Sequence, residues 1–313
     1  MKKRWFSLMM AGMMAFSLAG CGGGAGETTA AQTTAAEAEA AAEGADAAGA
    51  DAADEGAAAA EEDAGDSAEA DAAKEDADAA AAGGTFTVGF DQDFPPMGFV
   101  GDDGEFTGFD LELAQAVCDK LELEFVAEPI AWDSKDALLN SGAIDCIWNG
   151  FTINGREDDY TWSDPYLDNK QVFVVRGDSG IESEADLAGK IVDVQTDSSA
   201  QKALEDNQDL TSTFSNLQIV PDYNTGFMEL ESGAVDAVAM DIVVASYQID
   251  SRDADFKILD YEIASEEYGV GFAKGNEALR DQVQQALNEL AEEGKVAEIS
   301  TKWFGEDITT IGK

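Results

Sequence analysis

Histidine is absent from all 313 residues. Its absence removes Ser-His-Asp and Cys-His catalysis and the commonest zinc ligand. Cysteine occurs only three times, and arginine five times in a chain of formal net charge −47. So acidic a chain is a poor partner for nucleic acid or anionic lipid. No residue pattern calls for a metal or a cofactor, and none is expected.

Residues 22–84 lack aromatic residues and also Leu, Ile, Val and Phe. They are nearly all Ala, Gly, Asp, Glu and Thr, with 17 acids and one Lys. Such a stretch cannot bury enough apolar surface to offset its ordering entropy, so a disordered acidic linker is expected over 21–84. Like charges extend it into a stalk. Before it, Met1-Lys2-Lys3-Arg4 is basic, Trp5 to Leu18 is apolar, and Leu18-Ala19-Gly20 precedes Cys21. These parts predict a signal peptide over 1–20, too short for a permanent span. Leu-Ala-Gly-Cys resembles a bacterial lipobox, which implies cleavage before Cys21 and lipid on its sulfur. A lipid of that kind anchors a protein to a membrane without crossing it.

The folded part is then 85–313, with 48 acids and 14 bases. Strands are predicted over 85–90, 123–127, 143–148, 171–176, 190–195, 217–220, 234–240 and 268–273. Helices are predicted over 110–121, 134–141, 198–206, 225–232, 241–248, 276–293 and 295–303. Alternation of this kind indicates an α/β fold. Two segments share one grammar: Ser141-Gly142-Ala143-Ile144-Asp145 is echoed by Ser232-Gly233-Ala234-Val235-Asp236. Each ends a helix in Ser-Gly, turns, and opens a strand with apolar-Asp-apolar. The glycine suits a left-handed C-cap. Two copies predict two similar lobes with a cleft between them, where ligands sit beyond strand C-termini. Cys118 and Cys146 lie in apolar contexts and fit either buried thiols or a single disulfide.

One strand end gathers unusual chemistry. Ala143 to Trp148 is followed by Asn149-Gly150-Phe151-Thr152-Ile153-Asn154-Gly155-Arg156. A guanidinium at that place can hold a carboxylate through two parallel hydrogen bonds. The plain alternative is a surface arginine paired with Glu157, Asp158 or Asp159. Asp241 follows the corresponding strand end in the second repeat.

In order and spacing, several motifs together resemble the polar-amino-acid solute-binding proteins of bacterial ABC importers, family 3. They are Gly108-Phe109-Asp110-Leu111-Glu112-Leu113-Ala114, Ala143-Ile144-Asp145, Gly150-Phe151-Thr152 with Arg156, Trp162-Ser163-Asp164-Pro165-Tyr166, Asp186-Leu187-Ala188-Gly189-Lys190, and Gly294-Lys295 through Trp303-Phe304. The resemblance spans 85–304. It implies a two-lobed periplasmic-binding-protein-like fold of type II, with two α/β lobes joined by a two-strand hinge. Lobe 1 is expected over about 85–170 and 268–313, and lobe 2 over about 171–267.

The resemblance also implies a free amino acid as ligand, ABC permease subunits as partners, and a monomer without enzymatic activity. Arg156 would grip the ligand carboxylate, with Ser198 adding its hydroxyl and backbone N–H. Asp241 would pair with the ligand ammonium, helped by Thr152 and the Gly150 carbonyl. Asp91, Phe94, Trp132 and Trp148 would frame the side chain, favouring a basic or uncharged polar ligand. Three residues separate Thr152 from Arg156 where the family usually has four. Asp197 beside Ser198 is expected to cap the helix and face water. A sensory module and a cyclohexadienyl-dehydratase-like enzyme are the alternative readings. The expected location is the outer face of the cell membrane, or the periplasm in a two-membrane cell.

Overall fold

The structure, a computed structural model, describes residues 84–252 and 254–313. The expected signal segment, Cys21 and the acidic stretch as far as residue 83 lie outside the described residues. In chain order the elements are β1 (Thr85–Phe90), β2 (Asp93–Phe94), β3 (Gly98–Val100), β4 (Phe106–Thr107), α1 (Phe109–Leu121), β5 (Glu124–Pro129), α2 (Lys135–Asn140), β6 (Cys146–Ile147), β7 (Thr161–Trp162) and β8 (Leu167–Arg176). There follow β9 (Ile191–Gln195), α3 (Ser199–Asp206), α4 (Gln208–Thr211), β10 (Asn216–Val220), α5 (Tyr223–Ser232), β11 (Ala237–Asp241), α6 (Ile242–Ser251), β12 (Phe256–Tyr268), β13 (Gly271–Phe272), α7 (Glu277–Glu292) and α8 (Lys295–Phe304).

Two five-stranded sheets organise these elements, in the orders β5-β1-β6-β13-β7 and β10-β9-β11-β8-β12. Each begins with a parallel trio, β5, β1 and β6 in one and β10, β9 and β11 in the other. Strands flanked on both sides and covered on both faces must be apolar almost throughout. Accordingly every residue of Ala237–Asp241 is buried. The result is two α/β lobes.

The repeated grammar has a shared structural reason. Gly142 and Gly233 both take left-handed φ values, 72° and 77°. The Asp that follows each turn then accepts from a backbone N–H of the adjacent parallel strand: Thr87 N to Asp145 Oδ2 at 2.6 Å, and Ile191 N to Asp236 Oδ2 at 3.0 Å. One aspartate in each lobe thus ties the start of a strand to its neighbour.

The lobes are joined by β8 and β12, which run antiparallel from Arg176↔Phe256 to Leu167↔Tyr268, with register shifts around Glu262. The sequence predicts only the last residue of this 13-residue strand. β12 lies at a sheet edge, and its alternating acids (Asp260, Glu262, Glu266) hide the strand pattern. The segment 143–148, expected as a full strand, pairs only at Cys146–Ile147. The small sheet β2-β3-β4 was not foreseen either, its strands being two or three residues long. Cys118 and Cys146 are both buried free thiols.

Candidate functional site

The C-terminal ends of β1, β6, β9 and β11 point into one cleft, and loops from those ends carry the polar residues. A small cavity there, of about 20 Å³, is lined by Phe94, Trp132, Gly150, Thr152, Arg156, Gln195, Ser198, Ser199 and Asp241. Beside it a wider chamber of about 780 Å³ shares Arg156, Ser198 and Ser199 and extends along α3 to Glu266.

Arg156 is held by backbone carbonyls from both lobes. Its guanidinium donates to Thr152 O at 3.3 Å and to Asp197 O at 3.1 Å, and it lies over the Phe151 ring at 5.3 Å. Among the described residues it forms no ion pair with Glu157, Asp158 or Asp159, so the plain surface-pair reading does not hold. Gly155, at φ 81°, turns the shortened segment so that Arg156 still lines the cavity with Thr152. A guanidinium held by neutral carbonyls keeps its full charge for an anion.

Asp241 ends β11 and is 4% exposed. Its Oδ1 accepts from Tyr268 Oη at 2.6 Å, Gln171 Nε2 at 2.8 Å and Asn169 Nδ2 at 2.9 Å, and its Oδ2 from Tyr223 Oη at 3.2 Å. Burial raises its pKa, and the adjacent Glu266 charge raises it further. No Lys or Arg forms an ion pair with it among the described residues. Arg156 and Asp241 thus present opposite charges to one cavity.

Gly150 takes a left-handed φ of 56°, and a Cβ there would meet Phe94 at 2.9 Å. The turn is fixed from beneath by Asp110, near the start of α1. Its Oδ2 accepts from Gly150 N at 2.6 Å and Tyr166 Oη at 2.9 Å. Complete burial lifts the Asp110 pKa to about 7. Thr152 Oγ1 donates across the cleft to Ser199 Oγ at 3.3 Å.

Four expectations need correction. The Ser198 hydroxyl is committed to the α3 N-cap, accepting from Gln201 N at 3.1 Å and donating to Gln195 O at 2.8 Å. Ser199 carries the open hydroxyl instead. Asp91 does not line the cavity: its carboxylate accepts from Gln195 Nε2 at 2.7 Å and Asp93 N at 2.9 Å, so Gln195 stands in front of it. Burial lifts the Asp91 pKa to about 6. Trp148 is fully buried against Tyr166 and belongs to the core. Asp197 neither caps α3 nor merely faces water; it pairs with Lys135 of the opposite lobe.

Phe94 and Trp132 do reach the cavity, backed by Tyr223 and Phe151 at ring separations of 5.7 and 5.5 Å. Sequence reasoning missed Gln195, Ser199, Asn169, Gln171 and Glu266. A usable signal existed for two of them. In Leu167-Asp168-Asn169-Lys170-Gln171 the charged residues face out and the amides face in, with the period of two expected of a strand.

Comparison with known proteins bears on this geometry. The family model for bacterial extracellular solute-binding proteins, family 3, matches residues 86–306. The L-cystine-binding protein TcyJ of Escherichia coli (strain K12) is 33% identical over 229 residues, 72% of this chain and 85% of the relative. The L-cystine-binding protein TcyA of Bacillus subtilis (strain 168) is 32% identical over 230 residues, 72% of this chain and 83% of the relative. Among solved structures, an ABC uptake transporter substrate binding protein from Streptococcus pneumoniae with bound histidine superposes with a TM-score of 0.72 at 33% identity. It covers 74% of this chain and 97% of its own.

Proposed function

This chain belongs to the bacterial extracellular solute-binding proteins, family 3, and on that premise we propose that it captures one free amino acid between its lobes and delivers it to an ABC import permease. The observation that carries this reading is the meeting of Arg156 and Asp241 on one cavity between two aromatic rings. A zwitterion stripped of water needs an opposite charge at each end. Arg156 would take the carboxylate, with the Ser199 hydroxyl and the N-terminus of α3 beside it. Asp241 would take the ammonium, with Thr152 and Gly150 closing that end, and Phe94 and Trp132 would flank the side chain.

Relatives named for cystine and a structural neighbour holding histidine support an amino acid as ligand. Our reading favours a basic or uncharged polar one, because the buried Asp91 lies directly behind Gln195 and its charge would oppose a second ligand carboxylate at that wall. A cavity this narrow requires the lobes to part about β8 and β12 for entry. We also assign 1–20 to a signal peptide, Cys21 to a lipid anchor, 21–84 to a spacer, and 85–313 to the binding domain. Its two lobes are then about 85–170 with 268–313, and 171–267.

Mass spectrometry of small molecules released from purified, denatured protein tests the reading. It is joined by a thermal-shift panel of the twenty amino acids, ornithine and cystine. Ligand at a hundred times its Kd adds about 2.7 kcal/mol of stability. A basic or uncharged polar amino acid should give the largest shift. A win for glutamate or aspartate would refute the specificity, and no response to any amino acid would refute the receptor reading.

A further inference from the structure

Asp241 is not alone at the ammonium end of the cleft. Glu266, on β12, is 5% exposed, and its Oε1 accepts from the same two amide nitrogens that serve Asp241. Asn169 Nδ2 lies 2.6 Å from Glu266 and 2.9 Å from Asp241; Gln171 Nε2 lies 2.7 Å from Glu266 and 2.8 Å from Asp241. Two donors shared by both acids place the carboxyl groups side by side. Asn169 and Gln171 must turn their nitrogens toward the acids, which leaves Asn169 Oδ1 and Gln171 Oε1 buried without a partner. Gln171 Nε2 has a third acceptor in Ser199 Oγ at 2.9 Å, so its two hydrogens are oversubscribed. The cluster has more acceptors than donors.

No Lys or Arg forms an ion pair with Asp241 or Glu266 among the described residues. β8 offers the neutral Asn169 and Gln171, while its Lys170 is engaged by Glu262. α5 offers the phenol of Tyr223, and β12 that of Tyr268, with Tyr166 and Asp110 behind it. α3 offers Ser199, with Lys202, Glu205 and Asp206 farther along the chamber that Glu266 lines and Lys202 engaged by Asp206; Asp197 precedes it, and the facing loop offers Thr152, Arg156 and Asp159. Two like charges in so dry a place cannot both persist without a cation, as two carboxylates sharing one site show generally.

We propose that Glu266 is a second recognition residue for the ligand ammonium, forming with Asp241 a carboxyl pair that shares one proton in the open cleft and gives it up to solvent when an ammonium arrives. The proposal rests on the receptor reading above and adds the residue and the charge exchange. The exchange balances: the carboxyl O–H breaks, its proton passes to water, and one N–H of the incoming ammonium takes its place between two carboxylates. The raised pKa of Asp241 agrees with this arrangement.

Two measurements test it. Carbon-13 NMR of side-chain carboxyls in the ligand-free protein, assigned with Glu266→Gln and Asp241→Asn, should show one of the pair protonated at pH 6. Both ionised there would overturn the proposal whatever the ligand. Calorimetry with L-arginine, L-glutamine and L-cystine at pH 7, in phosphate and in Tris, then counts protons exchanged. Whichever of the three binds should release close to one proton per molecule from the native protein and clearly less from Glu266→Gln. Binding without proton release overturns the proposal and leaves the receptor reading intact. Failure of all three to bind counts against the receptor reading, and the NMR result then decides the pair on its own.

Discussion

Lys135 and Asp197 form an ion pair across the cleft, with Lys135 on α2 of one lobe and Asp197 just before α3 of the other. The Lys135 side chain is 2% exposed and its ammonium sits 5.2 Å from the centre of the Trp132 ring; the Asp197 side chain is 53% exposed. Asp197 takes a left-handed φ of 54°, and its carbonyl accepts from Arg156. One residue thus receives two cations of the facing lobe, Lys135 and Arg156, which makes it a closing contact rather than a ligand contact.

Lys135→Met should therefore weaken amino-acid binding about tenfold, by favouring the open state. A buried charge pair truncated on one side costs about 2–5 kcal/mol, and exposure of Asp197 reduces that figure. Solution scattering should show a larger radius of gyration for ligand-free Lys135→Met than for the native protein. Equal radii and equal affinities would remove the latch role.

The end groups carry the largest expected losses. Arg156→Ala and Asp241→Ala should each lower affinity by about thirtyfold to several thousandfold, matching roughly 2–5 kcal/mol for a desolvated charge that loses its partner. Circular dichroism should remain native for Arg156→Ala, whose bonds are to backbone carbonyls at the cleft. Near-native affinity by calorimetry in either variant would take that residue out of the site.

Stability should rise as pH falls from 8 to 5. Burial lifts the Asp110 and Asp91 carboxyls from the ordinary aspartate value to about 7 and about 6 in the folded state. Between pH 4 and 7 the folded state holds more protons than the unfolded chain, so stability falls as pH rises across that window. Asp110 contributes at most about 4 kcal/mol, from about 1.4 kcal/mol per pKa unit. Asp110→Asn keeps an acceptor for Gly150 N and Tyr166 and should flatten the dependence of Tm on pH. An unchanged pH profile would mean that Asp110 is ionised in the folded protein.

Asp110→Ala is a separate test of the turn beneath the site. It leaves the Gly150 N–H and the Tyr166 hydroxyl without their buried acceptor, and should cost about 2–5 kcal/mol by urea unfolding. A loss below about 1 kcal/mol would show that the Gly150 turn holds its shape without α1.

For the anchor, the native protein should partition into detergent and carry a mass increment on Cys21, while Cys21→Ser should lose both. Deletion of residues 27–82 should leave amino-acid affinity unchanged. A mature N-terminus elsewhere, or a Cys21 of unmodified mass, would contradict the assignment.

Composition and local pattern determined a good deal by themselves. The missing histidines closed off whole classes of catalysis, the alternating apolar segments indicated α/β lobes, and the Ser-Gly-apolar-apolar-Asp repeat marked two related strand ends. Arg156 and Asp241 were legible because each follows a recognisable buried strand. What sequence did not reach depended on the approach of the two lobes or on which strands lie side by side in the second sheet. Gln195 comes between Asp91 and the cavity, Asp197 meets Lys135, and Asn169 and Gln171 hold Asp241 beside Glu266. These partners lie 25 to more than a hundred residues apart except at β8 itself, and no local period encodes such a meeting. Ser198 and Ser199 show the limit most plainly. Both are small, adjacent hydroxyl residues, yet the first is consumed by capping α3 and the second turns to the cleft. The one-residue difference is set by where the helix begins, and packing against the strands fixed that point.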